Sequence, residues 1–423
     1  MTFKLFRNIH RNLRYLAYLY LILLSINASS QIRIAFIDGL SGPMANAGEA
    51  SLAQFKFAAD NFINNNGGIL GQQLQFIPFD NKGSPQETVV ALKNATDQGI
   101  RFVTQGNGSG AAASLIDSIN KWNERNPEKT VLYLNYGSVD PTLTNEKCSF
   151  WHFRFDANSA MRLEAMTNYI KQDKTVKRVF IIGQNYAHGQ QVSNLTKQML
   201  REKRADIQIV GDDLHPIGQV KDFSPYITKI RESKADAVVT GNWGNDLALL
   251  IKASKDSGLK VKFFTFYAGS IGSPAAIGDS GNGLVYEVTD WHRNLYSKYP
   301  ANQYEKFASN FNLNHSQNEI YTMRMVTLVQ MFSKAAYKAR SLDPKLIAYA
   351  LEDMTLDAHN GKVKMRKEDH QLLQPLHIAA FGPVDNKSII VGLEGTQYGF
   401  KTVSTLDLNQ TTLPSTCRMV RPN

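Results

Sequence analysis

Apolar positions along the chain fall into two alternating kinds of run. Short unbroken stretches at residues 32–37, 74–79, 100–103 and 131–134 read as strands buried on both faces. Between them lie segments of helical period. Residues 47–65 place Leu52, Phe55, Ala59, Phe62 and Ile63 on one face and stop at Gly67-Gly68; residues 85–98 and 111–122 repeat the pattern. Beyond Phe155 the alternation restarts, with helices over 157–171, from near Tyr186, from the Asp222-Phe223-Ser224-Pro225 cap to Ser233, and over 246–257. Strands are predicted at 178–182, 207–210, 237–240 and 261–266. Two successive βα blocks predict an α/β protein of two doubly wound lobes with parallel sheets, whose ligand sits at the strand-end loops. The last third reads as a strand at 284–288, a long amphipathic helix at 319–340, a short helix at 344–354 and a closing hairpin from 376–381 and 389–392. These pieces are too few for a third core, so they complete the two lobes and the chain crosses between them more than once.

Composition changes this picture mainly at the N-terminus. Lys4, Arg7, Arg11 and Arg14 precede an apolar run from Tyr15 to Ile26, and Ala28-Ser29-Ser30 offers small residues before a cut at Gln31. That order predicts a secretory signal over residues 1–30 and a periplasmic location. Removing it lowers the formal charge from +10 to +6. The remaining Lys and Arg are mixed with acids, with no basic stripe carrying aromatics, which argues against nucleic acid. Two cysteines in an exported chain, Cys148 and Cys417, suggest one disulfide holding the C-terminal tail. They are too few for a metal site, and no cofactor is expected.

The stretch from Val103 to Ser114 carries the candidate chemistry. Its glycines turn the chain from a strand into a helix and leave Ser109 with free backbone N–H groups at the helix N-terminus, a site for a carboxylate. Gly106-x-Gly108-x-x-Ala111 also matches a dinucleotide fingerprint, but it follows the third strand, and the next strand ends in Asn135-Tyr136 with no acid for a ribose. No Gly-x-Ser-x-Gly elbow, Walker loop or His-Glu-x-x-His helix is present. The Asp369-His370 pair lies in a polar segment and reads as solvent-facing, so an enzyme is not expected.

A set of ordered phrases adds a resemblance. Ile34-Ala35-Phe36 with Leu40-Ser41-Gly42-Pro43, then Asn66-Gly67-Gly68-Ile69-Leu70-Gly71, Asp140-Pro141-Thr142-Leu143-Thr144, and Asp222-Phe223-Ser224 leading to Ala235-Asp236-Ala237 are similar to the leucine/isoleucine/valine-binding proteins of ABC importers. The resemblance implies a type I periplasmic binding fold, two lobes joined by three crossings, and a monomer that delivers its ligand to a membrane permease. It implies lobes of residues 31–155 with about 290–374, and of 156–289 with about 375–423. The ligand carboxylate would meet Ser109 and the Gly108 turn, with Gly137, Ser138 and Val139 below. Tyr186 and Trp243 would cover it from the second lobe. The family's Glu for the ligand ammonium falls at Tyr267 and its first-loop Tyr at Ala47. The pocket is then larger and lacks its carboxylate, unless Asp290 or Glu287 replaces it. A hydrophobic amino acid and an amine-free aromatic or aliphatic acid are the two ligand classes left. A sensor ectodomain would use the same clamshell, but no second apolar span or signalling domain accompanies it.

Overall fold

A computed structural model describes residues 31–315 and 319–422; the signal expected over 1–30 lies outside the described residues. β1 (Gln31–Asp38), β2 (Gln73–Asp80), β3 (Phe102–Gln105), β4 (Leu132–Asn135) and β5 (His152–Arg154) form a parallel sheet in the order β2-β1-β3-β4-β5. β6 (Arg178–Gln184), β7 (Gln208–His215), β8 (Ala237–Thr240), β9 (Lys262–Thr265) and β10 (Val285–Thr289) belong to a second sheet. β11 (Thr355–Ala358), β12 (Gly361–Met365) and β13 (Leu372–Leu373) make a small antiparallel sheet. β14 (Leu376–Pro383) and β15 (Tyr398–Leu406) then extend the second sheet, antiparallel, to the order β15-β14-β10-β9-β8-β6-β7.

Successive side chains of a strand face opposite ways, and here both ways are covered. Ile34 and Phe36 of β1 pack with Phe55, Ala58 and Val329, while Ala35 and Ile37 pack with Leu92, Ala112 and Leu115. β6 repeats the arrangement: Ile181 joins one core cluster of the second sheet, Phe180 and Ile182 the other. This two-sided burial is why the strands appear as unbroken apolar runs. The chain crosses between the two sheets three times, after β5, after β10 and before β14. After the second crossing, Tyr304, Phe307, Val326 and Ile347 rejoin the core beside β1.

The last third departs from the sequence expectation in several places, the small sheet of β11–β13 among them. Residues 389–392 are not a strand: β14 pairs with β15 instead. The Ile390 and Val391 amides donate to Asn294 Oδ1, which ties this apolar stretch to the segment following the second crossing. The long helix begins at Arg324 rather than 319, because Thr322 and the Met323 amide are drawn to the Asp290 carboxylate. An unforeseen helix, Gln303–Asn314, is capped by the Asn302 side chain. Asp369 and His370 are buried, not solvent-facing: His370 stacks on Phe153 at 3.7 Å and bonds Glu352, while Asp369 pairs with Arg366.

The tail also returns. The Leu413 side chain still packs on the core of the second lobe, but residues 414–422, expected with that lobe, lie against the first. Arg366 donates to the Leu413 carbonyl, Thr416 N to Asn145 Oδ1, and Tyr349 to the Pro422 carbonyl. Cys148 and Cys417 form a disulfide there.

Candidate functional site

Each sheet reverses its strand order once among its parallel strands, between β1 and β3 and between β6 and β8. Crevices open at such points because neighbouring loops leave in opposite directions. A cavity of about 1000 Å³, its open mouth included, lies between the two sets of loops.

Its first wall is built on Asp38, at the end of β1. Asp38 is buried, and Oδ2 accepts from Gly106 N at 3.1 Å, Asn107 N at 3.2 Å and the Tyr136 hydroxyl at 2.6 Å. Burial outweighs these bonds and raises its pKa from 3.8 to about 6. Gly106 lies so close to Tyr136 that a Cβ would stand 2.6 Å from the ring. Gly108 then adopts φ 97°, ψ 109°, a conformation open only to glycine, and the helix Ser109–Arg125 begins. With Gly106 and Asn107 held from behind, the amides from Gly108 onward are the helix donors that have no partner within it. Ser109 is buried beside them.

The loop after β4 completes this wall, with one change from expectation. The Gly137 and Ser138 amides both donate to Asn135 Oδ1, and the Ser138 hydroxyl donates to the Gly106 carbonyl at 3.0 Å. Ser138 therefore braces the Ser109 turn rather than offering its donors to a ligand.

The opposite wall comes from the second sheet. Tyr186 and Trp243 occupy the N-cap positions of the helices Ala187–Lys203 and Gly244–Ser257, immediately past β6 and β8. Trp243 Nε1 donates to the Tyr186 hydroxyl at 2.8 Å, so the two aromatics act as one plate. Tyr267 follows β9, with the Arg162 guanidinium 5.9 Å from its ring centre. Ala47, Gly108, Ser109, Gly137, Ser138, Val139, Tyr186, Trp243 and Tyr267 all line this one cavity.

Neither substitute for the missing carboxylate lines it. Asp290 is engaged by Thr322, the Met323 amide and His359, and Glu287 is buried on β10. Among the described lining residues there is no Asp or Glu, and the one charged side chain is Arg324. Sequence reasoning missed it, and missed Tyr321 beside it. A signal was present: a cation in the first turn of an apolar helix opposes the helix dipole and needs a local reason. That reason is Asp156, whose Oδ2 accepts from Arg324 Nη1 at 2.6 Å and whose Oδ1 accepts from Arg162 Nη2 at 2.6 Å. Burial disfavours the Arg324 charge, but Asp156, Tyr321, Tyr267 and Asp290 more than offset that and hold its pKa above the usual guanidinium value.

The comparisons agree with this architecture. The sequence matches the periplasmic binding protein family over residues 31–386. A Leu/Ile/Val-binding protein homolog 4 of Brucella melitensis is 31% identical over 406 residues, 93% of this chain and 94% of that protein. The closed crystal structure of a leucine-, isoleucine-, valine-, threonine- and alanine-binding protein from Brucella ovis superposes with a TM-score of 0.81 at 30% identity, covering 93% of this chain and all of that one. At the level of fold alone, a solute-binding protein of an ABC transporter from Rhodopseudomonas palustris, in complex with 3,4-dihydroxybenzoic acid, has a TM-score of 0.76 at 15% identity, covering 89% and 98% of the two chains. With two switch-point crevices facing one another across a single cavity, and likeness along nearly the whole described chain, this protein belongs to the periplasmic binding protein family, among the leucine/isoleucine/valine-binding relatives of ABC importers.

Proposed function

We propose that this protein captures a small organic carboxylate without an amine in the interlobe cavity and presents it to an ABC permease from the periplasm, after loss of a signal ending before Gln31. The observation that carries the ligand class is the lining: free helix-terminal amides and Ser109 on one wall, an Arg on the floor, and no carboxylate to meet an ammonium. A buried ammonium without an opposing charge is costly, whereas an anion gains from both features. The second reading, a hydrophobic amino acid, is favoured by the names of the Brucella relatives.

The carboxylate docks on the Ser109 turn first. The body of residues 156–289 with about 375–411 then closes on that of 31–155 with about 290–374, and the Tyr186–Trp243 plate covers the ligand's apolar part. Closure draws on the ligand's stronger contact with the closed state. The protein acts as a monomer, and its activity is binding rather than catalysis.

A thermal-shift panel tests this, setting benzoate, 4-hydroxybenzoate and short aliphatic acids against leucine, isoleucine, valine and phenylalanine. A ligand at 100 times its Kd stabilises by about 2.7 kcal/mol, a measurable rise in melting temperature. Rises confined to the amine-free acids are expected, with Ser109→Ala weakening their binding by about 1–3 kcal/mol. Rises confined to the amino acids would establish the second reading instead.

A further inference from the structure

Arg162, Asp156 and Arg324 form a buried chain in which two guanidiniums share one carboxylate. The two arginines are not equivalent. Arg162 is spent on the protein: Nη2 goes to Asp156, Nη1 to the Val288 carbonyl and Nε to the Ala157 carbonyl. Arg324 gives Nη1 to Asp156, but its Nε is buried and has no hydrogen-bond partner among the described residues. A guanidinium has five N–H donors in a planar fork, matched to a carboxylate.

The side chain is also held rigidly. Its guanidinium carbon stands 5.7 Å from the centre of the Tyr136 ring and 5.8 Å from that of Tyr321. A Cβ at residue 137 would come within 3.1 Å of it, so glycine there lets the fork rest on the loop. Nearby, Asp290 is already committed to Thr322, Met323 and His359 and gives Arg324 no direct bond. One positive charge of the chain is therefore unmatched at short range, and it borders the cavity. A buried donor left without a hydrogen-bond partner is costly, and a ligand oxygen would fill it.

We infer that Arg324 is a second anion-recognising group, and that the ligand is a small dicarboxylate, one carboxylate on the Ser109 turn and the other on the Arg324 fork. The inference rests on the carboxylate reading above and narrows it. A half-amide of the same size would keep the first contact and lose the charge of the second.

The test is calorimetry on the full exported chain with matched pairs: succinate and succinamate, glutarate and glutaramate, terephthalate and 4-carbamoylbenzoate. At least one diacid is expected to bind about tenfold or more tightly than its half-amide, as a charge-assisted bidentate pair gives over a neutral one. Arg324→Gln should bring that ratio close to one, whereas Ser109→Ala should weaken both members and preserve it. Should Arg324→Gln fail to fold for want of a partner for Asp156, Arg324→Lys keeps the charge without the fork and should lower the ratio in part. Carboxylates that bind with a wild-type ratio of one in every pair overturn the inference and leave the carboxylate reading standing. A ratio that survives both Arg324 variants also overturns it. Failure of all these ligands, together with the monoacids, overturns both.

Discussion

Glu287 lies on β10 with its carboxyl buried, close to Gly269 in the loop that also carries Tyr267. Burial raises its pKa from 4.5 to about 8; the Gly269 amide and the Arg162 charge lower it only in part, and Asp290 adds to the rise. At neutral pH the folded protein therefore holds a proton there that the unfolded chain releases. Between about pH 4.5 and 8 the folded state binds more protons, so this group's contribution makes stability fall as pH rises. The full penalty is reached above pH 8. The slope attributable to one such group is at most about 1.4 kcal/mol per pH unit. Glu287→Gln keeps the shape and an acceptor for Gly269 and removes the titration. Its melting temperature should drop less than the wild type's between pH 5 and 9, and parallel curves would show that Glu287 is ionised in the fold. The same chemistry explains why Glu287 was a poor candidate for an ammonium partner: a carboxyl kept neutral offers no charge.

At the scale of elements, the turn between β3 and the Ser109 helix is the most constrained piece of the wall. Gly108 at φ 97°, ψ 109° has no allowed counterpart with a Cβ, so Gly108→Ala either strains the turn or moves the helix start. A cost of about 1–3 kcal/mol in chemical denaturation is expected, with a larger proportional loss of ligand affinity, because the displaced amides are the donors proposed for the ligand. An unchanged Kd would separate the ligand from this turn. The turn was legible in the sequence because glycine spacing between a strand and an Ala-rich helix reports backbone geometry directly. Tyr186 and Trp243 came from the family resemblance, which sets an aromatic after each of two strands; the apolar runs by themselves mark only where those strands end. What was not legible depended on distant partners. Residues 389–391 are as apolar as a strand, yet Asp385 takes the Ile389 amide and Asn294, nearly a hundred residues away in sequence, takes those of Ile390 and Val391. Arg324 drew no reading from the sequence, because the carboxylate that accounts for it, Asp156, is brought to it only by the fold. His370 sat in a polar segment, and only the fold placed it on the Phe153 ring.

At the scale of the whole molecule, the crossings are braced by buried polar groups rather than by apolar packing alone. Gln371, before the third crossing, accepts from Arg154 at 2.7 Å and donates to the Asp156 carbonyl at 2.7 Å, while Arg162 reaches the Val288 carbonyl beside the second. Directional bonds of this kind hold the crossings in register. The C-terminal tail adds a fourth link: it leaves β15 of the second sheet and is fixed to the first lobe by Cys148–Cys417, 269 residues apart. Closing a loop of that length stabilises by up to about 5 kcal/mol on the chain-entropy model, and commonly less. The tail's own bonds to Asn145, Arg366 and Tyr349 would survive loss of the bridge but could then exchange with water. Cys148→Ser with Cys417→Ser should therefore lower the melting temperature and, because the link spans both lobes, enlarge the radius of gyration of the ligand-free protein in solution scattering. Ligand should return that radius to the wild-type value, since closure is driven at the cavity. A lower melting temperature with an unchanged radius would mean that the tail stabilises the first lobe alone and that the three crossings by themselves set how far the protein opens.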